Sequence, residues 1–99
     1  MNLSAIDKQK LSQFFAAKPV KKAYLFGSYA RNTAVKESDI DILVELDYSR
    51  HIGFGFIQMI IDLEKILNAK VDLVTTDGLS KYAKPFVDKD KILIYERAA

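Results

Sequence analysis

The hydrophobic period of this chain switches between helical and extended several times. Leu3, Ile6, Leu11, Phe14 and Phe15 recur at helical intervals, so the spacing predicts a helix over Ala5–Ala17, capped by Ser4 and ended by Pro19. VKKAYLF, Val20–Phe26, reads as a strand buried toward its C-terminal end. Gly27 interrupts it, and SYARN suits a short helix. Asn32–Ser38 is polar and loop-like. From Asp39 to Leu46 the period becomes two: Ile40, Ile42, Val44 and Leu46 share one face, and Asp39, Asp41, Leu43 and Glu45 share the other. After a polar connection, Phe56, Ile57, Ile60, Leu63 and Leu67 predict a helix over Phe54–Asn68. KVDLVT, Lys70–Thr75, gives a third strand, Leu79–Asp88 a last helix, and ILIY a fourth strand. Strands interleaved with helices predict an α+β, two-layer domain: a mixed sheet of three to four strands flanked by helices. With neither repeat nor linker, residues 1–99 are expected to form a single domain.

The pattern contains an anomaly. Asp39 and Asp41 interrupt a run of Ile, Leu and Val, and carboxylates placed among apolar residues are costly unless something pairs with them. Two residues along a strand rise about 6.6 Å and return to the same face. Acids so placed either bracket a metal ion, or two ions about 3.5–4 Å apart, or merely face solvent from an edge strand. Oxygen ligands of this kind suit Mg²⁺, which keeps waters and recruits substrate phosphates. On the pair alone the solvated reading is the stronger. Asp72 shifts the balance, because it is an acid in another apolar strand, KVDLV. If the strands of Asp41 and Asp72 pair, their backbones lie about 4.8 Å apart and the three acids share a locality.

Upstream, the strand–Gly27–Ser28–helix sequence offers free backbone N–H groups and a hydroxyl where an anion would sit. An ordinary capped turn explains the same residues. Arg31 serves equally well as a phosphate ligand or as half of a structural ion pair. His51, the only histidine, falls in a polar connection and is expected at the surface; Asp77, in TTDG, is expected in a turn.

Composition narrows the classes. Lys and Arg number 15 against 13 Asp and Glu, too small an excess to signal nucleic-acid binding. Cysteine is absent, which excludes disulfides and thiolate metal sites. No run has membrane-spanning length, and the N-terminal stretch lacks a secretory pattern, so a cytoplasmic protein is expected.

Taken together, G-S-Y-A-R-N, the following S-D-I-D-I-L-V and then K-V-D-L-V resemble the minimal nucleotidyltransferases of the DNA polymerase β superfamily. The resemblance implies a mixed sheet with the active site at one edge. It assigns Gly27, Ser28 and Arg31 to the nucleotide, and Asp39, Asp41 and Asp72 to metal binding and catalysis. It implies Mg²⁺, with two ions expected, and ATP or another triphosphate as substrate. A nucleoside monophosphate would pass to a hydroxyl acceptor. Small stand-alone relatives pair with HEPN-type toxins, so the implied role is an antitoxin that adenylylates a tyrosine of its partner; the alternative is a binding module that neutralises the partner by contact. The family usually has Gly after the arginine, where this chain has Asn32, one of the few other residues that adopt the left-handed conformation. The apolar helix from Phe54 is explained by core packing or by self-association.

Overall fold

The structure, a computed structural model, describes residues 3–98. Its elements run α1 (Ala5–Ala16), β1 (Val20–Phe26), α2 (Gly27–Ala30), β2 (Ile40–Leu46), α3 (Gly55–Leu67), β3 (Val71–Thr75), α4 (Lys84–Asp90) and β4 (Ile92–Glu96). The four strands form one mixed sheet in the order β3-β2-β1-β4. β1 runs antiparallel to both β2 and β4, and β2 runs parallel to β3 through the α3 crossover. This is the mixed, helix-flanked sheet expected from the sequence.

One face of the sheet carries the core. Ala23 and Leu25 of β1, Ile40, Ile42, Val44 and Leu46 of β2, and Val71 and Leu73 of β3 point toward Leu11 and Phe15 of α1 and Met59 and Leu63 of α3, all buried. Removing this much apolar surface from water is the dominant favourable term in folding. The helices are fixed at their ends. At α1, Ser4 Oγ accepts from the Asp7 N–H at 3.0 Å and the Asp7 carboxylate accepts from the Ser4 N–H at 3.3 Å, a closed capping box. At the end of α3, Asn68 turns left-handed at φ 50°, and Glu64 accepts from the Val71 N–H at 3.1 Å, tying the helix to the first residue of β3.

Several details differ from the sequence expectation. Ile6 is 65% exposed, because the buried face of α1 narrows to Leu11 and Phe15. In α3, Met59 takes the buried position and Ile57 points outward. β1 buries Val20 as fully as its C-terminal residues. The last helix begins only at Lys84, since Pro85 lacks an N–H and fits the first helical turn; the residues before it form a turn in which Ser80 Oγ accepts from the Ala83 N–H at 3.1 Å.

Candidate active site

The face opposite the core is where the acids emerge. In the parallel pairing of β2 and β3, Asp41 stands directly beside Asp72, and in the antiparallel pairing Asp41 stands beside Phe26. Residues opposite one another across a ladder share a face, so Asp72, Asp41 and Phe26 form a row across three strands. Asp39 lies just before β2. Beneath the row, Leu43 is buried between its neighbours Tyr24 and Val74. The acids therefore sit at the wet end of a face that is dry one step further along.

Gly27 closes the row from above. Its φ is +71°, a conformation that side chains strain to adopt, and a Cβ built there would overlap the Asp41 carboxylate. Both demands are met only by glycine. α2 is a single turn, so an anion at this place would meet turn N–H groups and the Ser28 hydroxyl rather than the end of a long helix. The Ser28 carbonyl accepts from the Thr33 N–H at 2.9 Å, which folds the following loop back. Asn32 adopts φ 63°, the left-handed turn its residue type allows.

Electrostatics set Asp41 apart. Burial raises its pKa, the charges of Asp72 and Asp39 raise it further, and Arg31 opposes them; the result is about 6. Among the described residues no three carboxylate or histidine side chains form a ready-made metal cage. The sequence-predicted acids are neighbours that repel, with Asp41 and Asp72 side by side. Such an excess of hard oxygen donors fits a divalent ion that draws its remaining ligands from water and substrate phosphates.

Arg31 resolves toward the ion pair: its Nη1 donates to Asp90 Oδ2 at 2.9 Å, while its charge still reaches Asp41. Asp90 drew no notice in the sequence, where it lies in a DKDK run indistinguishable from solvated charge. His51 is exposed and Asp77 lies in a turn, accepting from the Tyr48 hydroxyl.

A four-stranded mixed sheet with acids on adjacent parallel strands and a glycine turn against them defines the catalytic domain of the polymerase-β-type nucleotidyltransferases. The nucleotidyltransferase domain family model matches residues 8–96, and the chain belongs to that family. It is a nucleotidyltransferase. A protein of Methanocaldococcus jannaschii named after protein adenylyltransferases is 44% identical over 77 residues, 76% of this chain and 77% of that protein. Among solved structures, a toxin–antitoxin crystal structure with AMP-PNP superposes with a TM-score of 0.77 at 24% identity, covering 91% of this chain and 73% of that one. A tri-AMPylated Shewanella oneidensis HEPN toxin in complex with an MNT antitoxin gives 0.70 at 21%, covering 93% and 71%. Among the described residues no helix is long and apolar enough to cross a membrane.

Proposed function

We propose that this chain is a Mg²⁺-dependent protein adenylyltransferase that transfers AMP from ATP to a tyrosine hydroxyl of a HEPN-type toxin, and so acts as its antitoxin in the cytoplasm. One observation carries the reading. The backbone at Gly27, held open by its left-handed φ, lies directly against Asp41, itself beside Asp72. A glycine turn with free N–H groups beside a cluster of carboxylates that Arg31 only partly offsets is the arrangement that a polyphosphate carried on a divalent ion would suit. The relatives support the chemistry by their names, one after adenylyltransferases, the other an antitoxin bound to an AMPylated toxin.

The polyphosphate rests on the Gly27–Ser28 turn, with the Ser28 hydroxyl donating to it and Arg31 supplying positive charge at its edge. Asp39, Asp41 and Asp72 are the residues that would hold Mg²⁺, which when bound offsets charge on the attacking and leaving oxygens. The acceptor hydroxyl attacks the α-phosphorus, the bond to the β-phosphate bridging oxygen breaks, and pyrophosphate leaves. Asp72, the most exposed of the strand-borne pair, takes the hydroxyl proton.

The test is incubation with labelled ATP, Mg²⁺ and the neighbouring toxin. Label should enter the toxin, and Asp39→Asn/Asp41→Asn or EDTA should reduce it to background. Neutralisation by the double variant equal to wild type, with no label in either, would sink the proposal in favour of inhibition by contact.

A further inference from the structure

The pairing that sets Asp41 beside Asp72 extends to the residue before β3. The Ile40 N–H donates to the Lys70 carbonyl at 2.9 Å, and the register that matches Ile40 with Val71 places Lys70 beside Asp39. Alternation returns Lys70 to the face of Asp72, about 6.6 Å along the same strand. Lys70 therefore joins the acids on their own face. Its side chain is exposed, and among the described residues it forms no ion pair. Arg31, the cation on the other side of the acids, is bound to Asp90.

Resting on the adenylyl-transfer reading above, we infer that Lys70 is a further catalytic residue, an ammonium that holds the acceptor oxygen as it attacks. The direction of the reaction selects this role. The polyphosphate rests on the Gly27–Ser28 turn at the end of β1, so pyrophosphate departs toward that side. Attacking and leaving oxygens lie roughly in line in phosphoryl transfer, so the acceptor hydroxyl arrives from the opposite side, over β3. There β3 is the edge of the sheet, with no further strand in the way. At that end of β3 the acid face carries Asp72 and Lys70. The two divide the work by charge: Asp72 takes the proton, and Lys70, a compact cation with three donors on a flexible stem, holds the oxygen that the proton leaves. A tyrosine hydroxyl ionises only near pH 10 in water, so its oxygen gains most from a cation as charge develops. The bond from that oxygen to the α-phosphorus forms, the bond to the bridging oxygen breaks, and pyrophosphate leaves with that electron pair. Lys70 keeps its own protons throughout.

Initial rates of AMP transfer from ATP to the toxin, with Mg²⁺, for wild type, Lys70→Ala and Lys70→Arg test the inference. The side chain is exposed, so its removal leaves the fold intact, and melting curves verify this. Lys70→Ala should lower kcat about a hundredfold, the usual loss when one donor to a developing oxyanion is removed, with KM for ATP unchanged. Lys70→Arg should recover most of the rate. Ethylammonium, but not tetramethylammonium, should partly restore Lys70→Ala, because only the first carries N–H donors. A raised KM for the toxin at unchanged kcat overturns the inference and leaves Lys70 a docking charge. A raised KM for ATP overturns it too, and gives Lys70 to the phosphates. A loss that neither arginine nor ethylammonium repairs overturns it as a structural effect. Equal label transfer by wild type and Lys70→Ala overturns this inference alone, whereas no label on the toxin with wild type overturns the adenylyltransferase reading along with it.

Discussion

Asp41 is where the energetic conflict of this molecule concentrates. It is partly buried beside Asp72 and near Asp39, and its pKa is raised to about 6 against an unfolded value near 4. A group whose folded pKa lies above its unfolded one binds protons more tightly in the folded state. Its contribution is therefore most favourable below about pH 4 and is lost as pH rises through 6. Asp41→Asn should accordingly raise the melting temperature of the metal-free protein at pH 7.5. The gain should be about 1 kcal/mol, held below the full linkage value by solvent screening, and should vanish as pH falls toward 4. Thermal melts across that range decide it, and a wild type that melts higher than the variant at pH 7.5 without Mg²⁺ contradicts it. The residue type and spacing of the acids were legible in the chain, because period-2 alternation fixes which side chains share a face. The link between Arg31 and Asp90 was not, since ion pairs between residues far apart in sequence leave no local trace.

Elements were legible where periodicity and punctuation agree. β1 and β2 fell within a residue of expectation, since Pro19, Gly27 and the polar loops bound them. α4 did not: the helix expected over Leu79–Asp88 ran through Pro85, which in fact marks the first turn of a helix that begins at Lys84. The inward face of α3 was misread at one position, where Met59 outcompetes Ile57; tertiary packing decides such choices and periodicity alone does not. α3 matters beyond its own burial, since it is the crossover that brings β3 alongside β2. Leu63, fully buried against both strands' core side, should cost about 2–5 kcal/mol when cut to alanine. For a chain of this size each kcal/mol is roughly 4–8 °C in Tm. Denaturant titration of Leu63→Ala measures it, and a loss under about 1 kcal/mol would mean α3 can collapse around the gap.

The whole molecule is closed by a contact made by the residue just after β4. Arg97 Nη1 donates to Asp47 Oδ2 at 2.7 Å, joining the end of β2 to the segment that follows the last strand. The Ser49 hydroxyl and N–H also donate to Asp47, and these partners hold its carboxyl well below the usual carboxylate range. A depressed pKa gives stability that is present above the unfolded value and lost as pH falls below it. Arg97→Ala should therefore lower Tm by a few degrees at pH 7, with the difference shrinking in acid below about pH 4. A difference that persists unchanged at pH 3 would mean that Arg97 acts through packing of its stem. Sheet order itself was beyond the sequence: nothing local says that β4 returns to β1 rather than adding beside β3.

The parallel pairing of β2 and β3 has a consequence for how this protein becomes competent. Antiparallel neighbours can find each other through a short bend, whereas Asp41 and Asp72 meet only after an entire helix has docked between them in sequence. Their proximity is thus a report on tertiary completion: a half-assembled chain keeps its two acids apart, and the carboxylate pair exists only once folding is finished.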